Sequence, residues 1–360
     1  MKHWQETAAI LDRTARLAEQ GGRAALATVV RISGSAYRRP GARFLVEEDG
    51  STCGGVSGGC LEADVREIAA AVMRERSPRL LHYDTGSDEE TVWGLGLGCE
   101  GAVDIFVQPL GEAFERSPGR RMRELLAAGT PFAVSTVVRG PHAGRAVLFA
   151  QGRREGDLGG GDLDRAAEDE AARLRETGRS GLLEIGAHAL FTEVLTPPPH
   201  LVVFGAGDDA LPLARLAAET GFQVTVVDHR PAYLTPERFP PPVRLVPRRS
   251  EEGLGGMELG RRHFAVVQTH SLAHDREWMR ALLSCPLAYL GLLGPRARKE
   301  ELLHQLGAEA SERVFAPVGL DLGAEGPEQV AVAIVAEMLA VRAGRQPAHL
   351  RARQGGIHEG

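Results

Sequence analysis

Apolar residues recur at helical spacing through the first twenty positions, and Asp12, Arg13, Arg16 and Glu19 interrupt them. This pattern predicts an amphipathic opening helix and breaks any leader-peptide core. ALATVV then centres a predicted strand from Arg23 to Arg31, and Phe44 to Val46 forms another before a turn at Asp49-Gly50. After a glycine-rich stretch, Leu61, Val65, Ile68, Ala69 and Val72 return to helical spacing. Short strands are predicted near Leu80 to Tyr83 and Val103 to Val107, a helix over 112–128, and paired strands at 132–138 (FAVSTVV) and 145–150 (RAVLFA). The charged segment from Gly152 to Gly181 reads as a loop plus one exposed helix.

Three consecutive prolines, Pro197-Pro198-Pro199, suit neither a helix nor a central strand and make a stiff spacer. Beyond them the pattern changes to strand, glycine turn, helix, strand: 201–204 (LVVF), a helix from about Asp209 to Thr220, and 223–228 (QVTVVD). Further buried strands are predicted at 264–269 (FAVVQT) and 287–293 (LAYLGLL), and a mostly buried helix over Glu328 to Arg342. Such alternation implies a parallel sheet with covering helices. The expected fold class is α/β: an N-terminal domain over 1–196, the proline linker 197–199, a Rossmann-like domain over 200–345 and a tail over 346–360.

A length of 360 residues suits two such domains, and 43% hydrophobic with 25% charged residues is ordinary for globular chains. A net charge of −6 offers no electrostatic reason to expect a nucleic-acid or membrane partner. A cytoplasmic protein is expected, because no apolar stretch approaches a membrane span and nothing directs export. Cys53, Cys60, Cys99 and Cys285 are too few for a disulfide scaffold and are read as reduced thiols. No pair of them has zinc-site spacing. Only Lys2 and Lys299 of the 42 basic residues are lysines, so an arginine cluster means less here than elsewhere.

Gly205-Ala206-Gly207-Asp208-Asp209-Ala210 is a GxGxxA turn between strand and helix, and Asp228 ends the second strand. In a dinucleotide fold the glycines admit a pyrophosphate to the helix start, and the acid binds a ribose hydroxyl. Asp208, directly after the second glycine, sets like charge where that pyrophosphate needs donors, so NAD(P) binding is expected to be weak or absent even where the fold is kept. Gly291 and Gly294 bracket a second turn at a strand-to-helix junction; it reads either as a ligand loop or as a plain turn with Pro295 opening a helix. His270, His274 and Asp275 cluster after the 264–269 strand. No GxSxG, HExxH or Walker sequence supports a hydrolase or P-loop enzyme.

In the N-terminal domain, Gly54, Gly55, Ser57, Gly58 and Gly59 lead through Cys60 into the helix expected near Leu61. Consecutive backbone N–H groups in such a loop make an anion cradle, and a cysteine at a helix start is placed to ionise. The same residues also describe a tight turn with a small buried thiol. Arg38, Arg39 and Arg43 offer guanidiniums suited to phosphate or carboxylate, or else a solvated face. Cys99 lies in a third glycine-rich segment.

Together these segments resemble the XdhC/CoxI family of accessory proteins for xanthine dehydrogenase and related molybdenum hydroxylases. The resemblance spans nearly the whole chain, through 34–50 (GSAYRRPGARFLVEEDG), 54–65 (GGVSGGCLEADV), 94–101 (GLGLGCEG), 197–231, 268–275 (QTHSLAHD), 289–298 (YLGLLGPRAR) and 319–339. Where the family often has a histidine after GAG this chain has Asp208, and where it often has CGG it has Cys99-Glu100-Gly101. The resemblance implies a chaperone, with no obligatory turnover of its own, that binds molybdenum cofactor and protects it during sulfuration with a cysteine desulfurase. It would then deliver the cofactor to a molybdenum hydroxylase apo-enzyme, as a homo-oligomer. On this reading the 54–59 loop with Arg38, Arg39 or Arg43 holds the cofactor's phosphate, and Cys60 or Cys99 suits a soft molybdenum centre or sulfur handling. The competing expectations are an NAD(P)-dependent oxidoreductase using Gly205, Gly207, Asp228 and His270, and a structural adaptor between maturation enzymes.

Overall fold

The computed structural model describes residues 2–34, 38–84, 101–111, 114, 118–306 and 313–352. The chain divides after Pro197 into two compact units.

The N-terminal unit is built on two five-stranded antiparallel sheets. The first orders β1 (Ala24–Gly34), β2 (Arg43–Glu47), β3 (Thr52–Gly54), β4 (Arg79–Asp84) and β5 (Gly101–Leu110) as β3-β2-β1-β5-β4. β1 is buried on both faces from Ala24 to Val30, which is why its apolar run does not alternate. On one face, Ala25, Ala27 and Val29 meet Val65, Ala69 and Val72 of helix α2 (Glu62–Glu75). On the other, Ala24 and Leu26 pack with Ile10 of helix α1 (Lys2–Glu19).

The second sheet orders β6 (Phe132–Arg139), β7 (Ala146–Ala150), β8 (Arg153–Gly156), β9 (Gly181–Ile185) and β10 (His188–Leu195) as β8-β7-β6-β10-β9. Helix α3 (Arg120–Ala127) and the Trp4 and Leu11 side of α1 cover one face of it. α1 therefore serves both sheets, and complete burial of Ile10 and Leu11 contributes about 1.5–3 kcal/mol each. Helix α4 (Gly161–Thr177) covers the other face through Leu163, Ala167, Ala171 and Leu174. The helix expected to be exposed is thus a packed amphipathic one, and β9 and β10 escaped the sequence pattern altogether. Of the helix expected over 112–128, the α-helix Arg120–Ala127 is present, and residues 112, 113 and 115–117 lie outside the described residues.

In the C-terminal unit six parallel strands form one sheet: β11 (His200–Phe204), β12 (Gln223–Asp228), β13 (Arg244–Pro247), β14 (His263–Val267), β15 (Tyr289–Leu292) and β16 (Val314–Phe315). Their order, β13-β12-β11-β14-β15-β16, reverses between β11 and β14, the arrangement of a dinucleotide-type fold. Helices α5 (Ala210–Glu219) and α8 (Gly326–Ala343) cover one face, through Leu213, Ala217, Ile334 and Met338. Helices α6 (Leu272–Leu283) and α7 (Arg296–Leu306) cover the other over β14 to β16, through Trp278, Leu282 and Leu302. No helix among the described residues is long and apolar enough to cross a membrane.

Candidate cofactor site

The loop between β3 and α2 is built around a close backbone approach. β3 lies so near β2 that a Cβ on Gly54 (φ +85°) would stand 2.2 Å from the Arg43 carbonyl oxygen, so only glycine fits. The Gly55 N–H donates to that same oxygen at 2.7 Å. Beyond it the N–H groups of Val56 and Ser57 converge on Glu62 Oε1 at 3.1 and 2.8 Å, and the Ser57 hydroxyl donates to Glu62 Oε2. Ser57 Oγ in turn accepts the N–H groups of Gly59 and Leu61, each at 3.1 Å. Gly58 and Gly59 are exposed at the tip.

This loop is an anion cradle whose anion is the protein's own carboxylate. Burial opposes the charge on Glu62, but the bonds from the Ser57 hydroxyl and from the Ser57 and Val56 amides outweigh it and hold the carboxyl below its ordinary range. Sequence reasoning missed Glu62. Its signal was an acid in the first helical turn directly after a glycine-rich loop, where it can reach back to unpaired amides.

Cys60 is a half-buried free thiol packed against the α2 face of the first sheet. α2 begins at Glu62 with Leu61 as its cap, so Cys60 lies ahead of the helix rather than at its first residue. Arg38 is brought to the start of the same loop through Glu6, to whose carboxylate it donates at 2.6 Å; Glu6 Oε1 lies 3.0 Å from where a Gly54 Cβ would stand. Arg39 is exposed on the turn entering β2. Arg43 departs from the expected role, because its guanidinium turns inward, 6% exposed, to ion-pair with Glu193 of β10 and bond Thr7 at 2.7 Å. It is committed to structure, since a buried charge is kept only with its partners. Cys99 lies outside the described residues. No group of three or more His, Cys, Asp or Glu side chains that could hold a metal ion occurs among the described residues.

In the C-terminal unit, Gly205, Gly207, Asp228 and His270 come together at the carboxyl ends of β11, β12 and β14, at the switch point of the sheet. A Cβ on Gly205 (φ +115°) would lie 2.5 Å from the Gln268 carbonyl oxygen, so the two strand ends are closely apposed. Asp228, 5% exposed, accepts the Ala206 N–H at 2.7 Å and is gripped by Arg230 at 2.8 and 2.9 Å. Burial opposes its charge, yet the Arg230 guanidinium and the two backbone N–H groups lower its pKa to about 2. Its carboxylate is thus already hydrogen-bonded where a ribose was expected. His270, in left-handed conformation (φ 59°), closes over Gly207 to meet Asp209 at 2.8 Å.

Asp208 is exposed and pairs with Arg238 at 2.9 Å. Gly291 is enclosed within β15, where a Cβ would strike Val318 and Tyr289. Gly294 packs on Arg298, whose Nε donates to the buried Asp275 at 3.0 Å. The second glycine turn therefore closes on an ion pair with α6. Arg230, Arg238 and Arg298 are partners here that the sequence pattern did not reveal.

Two family matches cover most of the chain: the XdhC and CoxI family over residues 17–84 and 125–186, and the XdhC Rossmann domain over 201–338. A Bacillus subtilis protein named as a probable xanthine dehydrogenase subunit is 35% identical over 326 residues, covering 91% of this chain and 95% of its own. The Escherichia coli "Molybdenum cofactor insertion chaperone PaoD" is 26% identical over 329 residues, covering 89% of this chain and 84% of its own. A crystal structure described as a xanthine dehydrogenase from Bacillus halodurans superposes with a TM-score of 0.77 at 27% identity, over 94% of this chain and 97% of that one.

Proposed function

This chain belongs to the XdhC and CoxI family, and on that premise we propose that it is a chaperone of molybdenum cofactor. It would hold the cofactor through the Gly54–Cys60 loop and pass it to a molybdenum hydroxylase of the xanthine dehydrogenase type. The observation that carries this reading is the convergence of the Val56 and Ser57 amides on one carboxylate oxygen, with the Cys60 thiol three residues on. A loop that already binds a carboxylate has the donors a phosphate needs. The similarity to a relative named as a cofactor insertion chaperone supports the cofactor's identity.

Val56 and Ser57 would hold the phosphate in place of Glu62, with Arg38 at the edge of the loop. Cys60 offers a soft sulfur ligand. Bound cofactor would supply the molybdenum and its exchangeable sulfur, and the protein's part is to bind, orient and shield it. Support for sulfuration would require docking a cysteine desulfurase, which belongs to the same proposal. No observation favours the oxidoreductase alternative, because Asp228 is occupied by Arg230 and the Ala206 amide.

The test is an anaerobic titration of the full chain with molybdenum cofactor, followed by transfer to an apo-hydroxylase. Saturable binding and a rise in hydroxylase activity are expected. Absence of binding would leave the adaptor reading.

A further inference from the structure

The crossover between β13 and β14 runs from 248 to 262 and contains only one short 3-10 turn, Ser250–Glu252. Parallel connections normally lay a helix on the sheet. Here Gly253, Gly255, Gly256 and Gly260 break any helical run, and although Phe204 at the end of β11 packs on Trp278 of α6, the loop residues 255–259 face His200, Val202, Thr225, Arg244 and Val246 of β11, β12 and β13. Beneath that loop lies a cavity of about 380 Å³, within the range of small-molecule sites.

Its lining combines imidazole, guanidinium, carboxylate and apolar groups. His200 and His263, the first residues of β11 and β14, place their rings 5.3 Å apart. Burial lowers the pKa of both imidazoles, that of His200 to about 4, so the rings are neutral at physiological pH. The Gly260 N–H donates to His263 Nδ1 at 2.9 Å, which leaves the proton on Nε2 as a donor. Arg244 and Arg248 supply two guanidiniums. Arg248 Nε is buried with no hydrogen-bond partner, the kind of group that a ligand oxygen satisfies. Val246 lies between the two arginines on the same face of β13, Val202, Met257 and Leu259 complete the apolar part of the lining, and Glu258 is its single acid.

We infer that this cavity is a second ligand site, for a nucleoside monophosphate. Two guanidiniums match one phosphate, the carboxylate of Glu258 accepts sugar hydroxyls, and the apolar wall with two neutral rings receives a flat heterocycle. A bare phosphate would face Glu258 and leave the apolar wall uncovered. The site opens at the amino ends of β11 and β14, whose carboxyl ends carry Gly205 and Gln268, and of its lining residues only Arg248 also borders the switch-point crevice. It does not depend on the cofactor role proposed for the other unit.

Calorimetry on the full chain with AMP, CMP, adenosine and inorganic phosphate tests the assignment. At least one nucleotide should bind, with adenosine and phosphate weaker by tenfold or more. Arg244→Ala alters an exposed side chain near the sheet edge, so folding, checked by thermal melting, should be kept while nucleotide affinity falls at least tenfold. Arg230→Ala, at the crevice, leaves the buried Asp228 without its cation and is assayed below its own melting transition, where it should bind like the parent. Three results would overturn the inference: no nucleotide binding up to millimolar concentration, equal binding of inorganic phosphate, or a loss that follows Arg230→Ala rather than Arg244→Ala.

Discussion

Arg43 on β2 and Glu193 on β10 clasp each other between the two sheets of the N-terminal unit, with side chains 6% and 2% exposed. His3 of α1 joins the same carboxylate, so one acid ties three elements together. Arg43→Ala strands a buried charge and should destabilise the unit by about 3–5 kcal/mol in denaturant unfolding. The double change Arg43→Met with Glu193→Leu should recover most of that loss, because apolar replacement removes both desolvated charges. Burial opposes the Glu193 charge, but attraction to Arg43 and His3 prevails and lowers its pKa from 4.5 to about 2. A depressed carboxyl pKa stabilises the fold above the unfolded value and loses that contribution as pH falls through the folded one. Parent stability should therefore drop between pH 4.5 and 2, more steeply than that of the double variant.

Glu62 occupies the cradle that a phosphate would use. Glu62→Ala frees the Val56 and Ser57 amides and should cost about 1–3 kcal/mol, the usual loss for hydrogen bonds to a charged group. Millimolar inorganic phosphate should then raise the melting temperature of the variant more than that of the parent. A ligand at ten times its dissociation constant stabilises by about 1.4 kcal/mol, enough to see in a melt. Equal protection of the two proteins would mean that the loop binds only its own carboxylate.

Cys60→Ser nearly preserves volume and should fold as the parent does. It should lose cofactor retention or the ability to activate an apo-hydroxylase, measured anaerobically. Cys285→Ser, whose thiol bonds the Ala281 carbonyl at the end of α6, should retain both. Full retention by Cys60→Ser would make Cys60 a turn residue and move the test to Cys99.

At the switch point, Gly205→Ala combines a left-handed backbone with a Cβ 2.5 Å from the Gln268 carbonyl oxygen. Destabilisation of about 3 kcal/mol or more is expected, as backbone strain and overpacking together. Gly207→Ala meets a movable side-chain oxygen, that of Asp209 at 2.7 Å, and should cost clearly less in the same unfolding assay.

The parallel half of the molecule was legible from its residues. β12 begins and ends where the apolar run QVTVVD does, and β11 and β14 lie within a residue or two of theirs, because strands buried on both faces write continuous apolar runs bounded by glycine or acid. Gly205 and Asp228 also sit where the turn pattern placed them. What the pattern could not specify was which charges meet. Arg43 and Glu193 are 150 residues apart and find each other only through the placement of two sheets, and Glu62 enters the loop only once the backbone has turned back on the helix that carries it. The same holds for the cavity beside β11 to β13: the alternation of strands with helical stretches predicted covering helices, whereas the loop over 248–262 and the cavity beneath it, lined from four strands, were decided by the tertiary structure. Periodicity reports which face of an element leaves water, a local property of neighbouring residues, whereas the partner of a buried charge and the shape of a cavity depend on register and packing between elements distant in the chain.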